Sequence, residues 1–342
     1  MEPLQSPANK IFSLVRLTLL VSVVVLLSCF VLSWLVLSPP APSQSPTPIV
    51  EQKKDSLWHA PDLSLLDQSD SAELIRYGRS LIEKTSAYLG PEGSVGALSN
   101  GMNCQNCHLD AGTRPFGNNY SAVASTYPKF RARSGSIETM EKRVNDCIER
   151  SLNGKPLSNE SREMKAILAW FRWLGSNVEK DVSPLGSGLV SLPFLDRAAS
   201  PENGKILYAQ KCTVCHGREG QGQRMPGGPG WFYPPLWGEH SYNTGAGLYR
   251  LSRFAGYIKA NMPLGSTFDR PQLSDEEAWD IAAFVNSQPR PTKDLSADWP
   301  DISKKPVDHP FGPFSDGFTE AQHKFGPFKP IQEKIKQRSK KA

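Results

Sequence analysis

Two short segments carry the clearest chemistry in the chain: Cys104-Gln105-Asn106-Cys107-His108 and Cys212-Thr213-Val214-Cys215-His216. Both fit C-x-x-C-H. Two thiols about one helical turn apart can add to the two vinyl groups of one haem, and the adjacent histidine then reaches the iron. A zinc or redox C-x-x-C has no need of that histidine. The pair therefore points to two covalently bound c-type haems, with His108 and His216 as iron ligands.

A second axial ligand decides whether a haem only carries electrons, and His/Met ligation raises its potential. After His216 the chain offers Met225 and Met262. Met225 follows His216 too closely to swing comfortably to the opposite haem face. Met262, in Asn261-Met262-Pro263, is the better placed, Lys259 is the lesser candidate, and plain core packing is the bland reading of both methionines. The earlier part offers Met140, Met164 and the odd Cys147. If a helix starts at Ile137, positions 137, 140, 144, 147 and 148 fall within an arc of about 100°. Cys147 then shares a buried stripe, which alone makes it a small apolar residue. Arg143 lies one turn before it and Arg133 just upstream. Guanidinium charge beside a thiol favours the thiolate, the form that ligates iron or attacks sulfur. Spacing leaves ligand and core residue both open for Cys147. Met164 lines up with Ile167, Leu168, Phe171 and Leu174 as ordinary core. His59, His240, His309 and His323 have no ligand spacing and read as surface or packing residues.

The elements that must position these groups follow from pattern. Amphipathic helices are expected over Ser71–Leu89, Ile137–Leu152 and Glu160–Leu174. Others open at Ser200-Pro201 and at the capping box Ser274-Asp275-Glu276-Glu277. No convincing strand run appears. The expected fold is all-α, with two cytochrome c-like domains in tandem at 58–181 and 200–292, joined by a Gly/Pro/Ser-rich linker at 182–199. From 293 to 342 Pro and Gly recur, which reads as an extended basic tail without a core of its own.

The N-terminus speaks for location. From Leu17 to Ser38 run 22 residues without a charge, enough to cross a hydrocarbon core of about 30 Å. A cleavable signal would have a shorter apolar core and a small-x-small site. Residues 17–38 are thus expected to be a transmembrane helix, and residues 39–57 a Pro/Ser-rich linker. Lys10 and Arg16 place residues 1–16 in the cytoplasm. The haem domains are then periplasmic, on a single span in a bacterial inner membrane.

Composition sets limits on all of this. With 342 residues, 39% hydrophobic and 21% charged, the chain is neither disordered nor a polytopic membrane protein. Six cysteines are too few for a disulfide scaffold; four belong to the motifs, and Cys29 falls in the apolar run. The net charge of +5 equals that of the last fourteen residues, so the body is balanced and a nucleic-acid partner is not supported.

The stretch YPKFRARSGSIETMEKRVNDCIERSLNG (Tyr127 to Gly154), with NGMNCQNCHLDAGTRPFG, YPPLWG, ANMPLG, QPRP, DHPFGPF and QHKFGPFKPI, resembles the diheme thiosulfate dehydrogenase family. The likeness runs from about Trp58 to Ile331, and the Asn-Asp-Cys helix is its most specific part. It implies oxidation of two thiosulfates to tetrathionate, reversible in principle, with two electrons passing through both haems to an external acceptor such as a small cytochrome c. It implies iron ligation by His108 and the Cys147 thiolate in the first domain, and by His216 with Met262 in the second. The substrate-site arginines of the family fall on Arg133 and Arg143. Two departures stand out: this chain carries the N-terminal apolar run where many members are soluble after signal cleavage, and Asn261 precedes the Met where some relatives carry Lys. Competing readings are a membrane-anchored diheme oxidase subunit that only transfers electrons, and the sulfur-carrier diheme cytochrome of a multi-enzyme thiosulfate oxidation system.

Overall fold

The structure, a computed structural model, describes residues 7–37 and 57–339. Two compact units divide the chain, Met1–Ile49 and Val50–Ala342. The first holds helix α1 (Pro7–Leu37), in which Cys29 is exposed. Among the described residues no helix is long and apolar enough to cross a membrane. The transmembrane helix expected at 17–38 is therefore not found among the described residues; Ser38, the last residue of that expected span, lies outside them. The linker expected at 39–57 lies almost wholly outside the described residues.

The second unit is mostly helical. Its first half contains α2 (Asp70–Glu83), α3 (Thr85–Leu89), the single turns α4 (Leu109–Gly112) and α5 (Val123–Thr126), then α6 (Met140–Arg150) and α7 (Arg162–Leu174). The second half contains α8 (Pro201–Lys211), α9 (Thr213–His216), α10 (Leu251–Asn261) and α11 (Asp275–Ser287). Helices α12 (Glu320–Phe325) and α13 (Lys329–Ser339) follow.

Each half is built on one helix crossing made close by a glycine. In α2, a Cβ on Gly78 would stand 2.0 Å from the Ala166 carbonyl oxygen of α7. In α8, a Cβ on Gly204 would stand 1.9 Å from the Asp280 carbonyl oxygen of α11. Only a bare backbone allows either approach. Four residues later each helix buries a large side chain, Ile82 at 1% exposure and Tyr208 at 2%. Around these crossings lie two cores. One holds Trp170, Met164 and Leu174, the other Trp279, Tyr208 and Leu251.

Several expectations need correction. The helix bearing Cys147 begins at Met140, not Ile137, because the Thr139 side chain caps it by accepting from the Lys142 amide. Ile137 lies instead in a short hairpin, β1 (Lys129–Arg131) with β2 (Ser136–Glu138), and is 71% exposed. A second hairpin, β3 (Gln223–Arg224) with β4 (Trp231–Tyr233), was equally unexpected. The helix expected over 71–89 breaks at Lys84. Helix α10 was missed altogether, although Leu251, Phe254, Ala255 and Ile258 repeat at helical spacing and are buried.

The segment from 293 is not an extended tail without a core. Phe328 and Ile331 are buried in the second core, and the Ala199 amide donates to the Phe325 carbonyl. Asp308, fully buried, accepts from Arg250 at 2.6 Å and from the Ser252 amide at 3.0 Å. Residues 182–199 are likewise packed: the Phe116 and Asn118 amides donate to the Gly186 and Gly188 carbonyls, and Trp279 donates to the Pro193 carbonyl.

Replacing Gly204 or Gly78 by Ala forces a methyl group into a backbone carbonyl. Each variant should lose roughly 1–3 kcal/mol of stability, read as a lower denaturant midpoint with unchanged slope; a midpoint matching the parent would refute the account of the crossing.

Candidate functional site

Both C-x-x-C-H segments follow the glycine-bearing helices in chain order. In the second half Cys212 caps α8, so the motif is simply the next turn. In the first half a longer connection intervenes, and α3 docks the motif: the Cys104 amide donates to Thr85 Oγ1 at 2.9 Å, and the Ser86 amide to Asn103 Oδ1 at 2.8 Å. Asn103 and Asn106 then cap the turn reciprocally.

None of the four motif cysteines is in a disulfide. Both histidines face backbone carbonyls through Nδ1, His108 to Asn118 at 2.5 Å and His216 to Pro234 at 2.9 Å. A carbonyl only accepts, so Nδ1 carries the proton and Nε2 is left with a lone pair for a metal. Burial pushes the imidazolium of His108 down to about 4 and lowers that of His216, which keeps both neutral. Tyr120 stacks on His108 with ring centroids 4.4 Å apart.

Two cavities meet these groups. The first, about 480 Å³, is lined by Cys107, His108 and Cys147. The second, about 440 Å³, is lined by Cys212, Cys215, His216, Met225 and Met262. Free thiol pairs, neutral imidazoles presenting Nε2 and a cavity against each are what a c-type haem requires, so the residues fit two such groups. Cys107, Tyr242 and Leu248 line both cavities, so the two share a wall.

The linings differ in kind. Around the second cavity stand Trp231, Phe232, Leu236, Phe254, Ile258, Leu273, Ile281 and Val285. Lys259 is not among them: its ammonium donates to the Leu273 carbonyl at 2.7 Å and pairs with Asp275 at 2.8 Å. The first cavity is lined instead by Lys129, Arg131, Arg133, Arg143, Arg250 and Arg253, with Asp298 as its acidic member. Asp298 is taken by Arg150 in a bidentate pair at 2.7 Å, leaving the cations in excess.

Arg133, Arg143 and Cys147 come together as the sequence suggested. The β1–β2 hairpin carries Arg131 and presents Arg133, and α6 presents Arg143 and, one turn on, Cys147. Cys147 is half-buried on the cavity wall rather than within the core, whereas its neighbours Val144 and Ile148 are buried. Asp146, 3% exposed, holds Arg133 at 2.6 Å and Lys142 at 2.5 Å. Arg143 has no ion pair or hydrogen bond of its own among the described residues; the charge of Cys147 raises its pKa, against the opposing effect of burial. Burial, with Arg150 and Arg143 nearby, lowers that of Arg133. One guanidinium is thus anchored by a carboxylate and the other is free to pair with an anion.

Sequence reasoning missed Arg131, Arg250, Arg253, Tyr242 and the Arg150–Asp298 pair. Their only local signal was charge, and they come from segments far apart in the chain.

The two halves form a tandem pair of c-type cytochrome units sharing a wall, a diheme cytochrome whose first cavity is lined by cationic side chains. Residues 96–178 match the family described as SoxA/TsdA, cytochrome c domain, and residues 201–289 match Cytochrome c. The chain is 38% identical over 243 residues to the thiosulfate dehydrogenase of Psychrobacter arcticus, covering 70% of this chain and 71% of that one. It is also 38% identical to that of Allochromatium vinosum, covering 68% and 83% respectively. A solved structure of thiosulfate dehydrogenase (TsdBA) from Marichromatium purpuratum superposes with a TM-score of 0.65 at 29% identity, over 80% of this chain. The chain spans 55% of the length of that structure. It belongs to the thiosulfate dehydrogenase family, and its two cytochrome c domains carry two covalently bound haems.

Asp146→Asn should cost about 3–5 kcal/mol, because it strands Arg133 in a partly dry site beside Arg143. Burial raises the Asp146 pKa, but the Lys142 hydrogen bond and the Arg133 charge outweigh it and hold the group below its ordinary 3.8. A depressed carboxylate stabilises above its unfolded value and loses that effect as pH falls through the folded one. The gap between parent and variant in denaturant unfolding should therefore be full near pH 7 and close as pH drops below 3.8.

Proposed function

We propose that this chain oxidises two thiosulfates to tetrathionate at the first cavity and passes two electrons through the second domain to an external acceptor. The observation that carries the reading is the cation-lined cavity containing Cys147 beside a cavity with an apolar lining. Two dianions brought to about 4 Å repel by roughly 4 kcal/mol even in water. Arg133 and Arg143 offset that repulsion and suit the oxygens of a sulfonate through planar, multiple N–H donors.

Cys147 supplies the sulfur chemistry. Its thiolate bonds to the outer sulfur of the first thiosulfate as two electrons leave, giving Cys–S–S–SO₃⁻. The outer sulfur of the second thiosulfate then attacks the outer sulfur of that adduct, releasing tetrathionate and restoring the Cys147 thiolate. The haems, when bound, supply two one-electron acceptors. His108 with Cys147 would hold the first iron, and His216 with Met262 the second. A thiolate ligand lowers the potential relative to His/Met, which directs electrons outward through the second domain to an acceptor such as a small cytochrome c. The same balance run backwards is tetrathionate reduction.

For location the reading is a bacterial periplasm. Covalent attachment of c-type haem and the uncharged run Leu17–Ser38 after Lys10 and Arg16 support export with the N-terminus inside.

Purified holoprotein with thiosulfate and an artificial acceptor should turn over without any partner protein; a strict need for a sulfur-accepting partner would favour the sulfur-carrier alternative. In Cys147→Ala, both haems should stay attached while thiosulfate-dependent haem reduction falls at least 100-fold, and low-temperature EPR should lose a thiolate-type low-spin signal. Substantial turnover in that variant would sink the mechanism. A pure electron carrier would show only His/Met signals from the start.

A further inference from the structure

A third cavity of about 360 Å³ lies against the first, and Thr244, Asp298, Trp299, His309 and Phe311 line both. Two polar atoms in that shared wall are buried without a hydrogen-bond partner, Trp299 Nε1 and His309 Nδ1. Their rings meet edge to face with centroids 5.6 Å apart. Buried donors are almost always satisfied, so a pair left open beside a cavity marks the place of a missing acceptor. His309 is 9% exposed; burial pushes its imidazolium down to about 4 against the opposing effect of the Phe311 carbonyl, so the ring is neutral, and the tautomer with its proton on Nδ1 makes that atom a donor. The position is held firmly. The Trp299 amide donates to the Arg133 carbonyl at 2.7 Å, with Trp299 itself in the left-handed region at φ 63°. Asp298 and Asp308, the carboxylates next to Trp299 and His309 in sequence, are neutralised by Arg150 and Arg250.

We propose that Trp299 Nε1–H and His309 Nδ1–H form an oxyanion site on the C-terminal segment, taking a sulfonate or carboxylate group where the first and third cavities join. Two sources have that chemistry: the sulfonate of a second thiosulfate, which rests on the function proposed above, and a carboxylate arm of the first haem, which does not. In either case the C-terminal segment completes the first site rather than merely wrapping the cytochrome units.

The test uses the full-length holoprotein and the variants Trp299→Phe, His309→Leu and His309→Asn, the last keeping an amide donor near Nδ1. Haem content, thiosulfate KM and kcat, and the substrate-free reduction midpoint of each haem are measured together. If the site takes substrate, Trp299→Phe and His309→Leu raise KM about ten-fold, leave kcat and both midpoints in place, and His309→Asn recovers most of the loss. If it takes the haem carboxylate, the midpoint of the first haem shifts, that of the second does not, and KM is unchanged. Unaltered KM and unaltered midpoints in fully haem-loaded Trp299→Phe and His309→Leu would overturn the proposal, as would His309→Asn behaving like His309→Leu. Should the parent chain fail to oxidise thiosulfate, the earlier reading falls, and the midpoints alone decide for or against the site.

Discussion

Everything in the haem-bearing unit hangs on two helix crossings that leave no room for a side chain. Gly78 against Ala166 and Gly204 against Asp280 bring backbones to contact distance; the second C-x-x-C-H turn emerges just beyond α8, the first after a longer connection. A helix pair held this closely is stiff, because packed interiors transmit displacement instead of absorbing it. The motif thiols and histidine therefore inherit fixed positions from the crossing. The same device serves both halves, but the first interposes α3 and uses Thr85 and Asn103 to dock its motif.

On this common frame the halves diverge through charge. The second cavity is walled mostly by apolar and aromatic side chains, with Met225 and Met262 in its lining. The first collects Lys129 and several arginines from the β1–β2 hairpin, α6 and the start of α10, with Asp146 and Asp308 each balancing part of the excess. A dry wall suits a group that only exchanges electrons, whereas buried cations in excess are tolerated only where an anion completes them. Tyr242 and Leu248 in the shared wall keep the two chemistries adjacent without mixing their linings. Asn261 reinforces the seam, since its amide reaches the Phe116 carbonyl at 3.1 Å across the two halves.

The C-terminal segment shows how far composition can mislead. Its prolines and glycines exclude long helices, which made it look like a loose strap. Proline and glycine say nothing, however, about whether intervening residues are buried. Asp308, Phe328 and Ile331 each find a place prepared by another segment: Arg250 for the first, the second core for the others. Helix α10 was overlooked for another reason. Its apolar spacing is regular, but no capping side chain marks its start.

What the sequence determined by itself was the local chemistry. The C-x-x-C-H spacing, the Cys147–Arg143 pair one turn apart and the caps at Thr139, Ser200 and Ser274 depend on residues within a few positions of one another, and local geometry follows from covalent reach. Only the tertiary structure decided which charges face which cavity, that Lys259 is tied to Asp275 while Met262 lines the second cavity, and that Arg150, Asp298, Trp299 and His309 belong to the first site. Those relations join residues far apart in the chain. They are settled by packing of whole helices, where each contact depends on all the others and none leaves a short-range pattern to read.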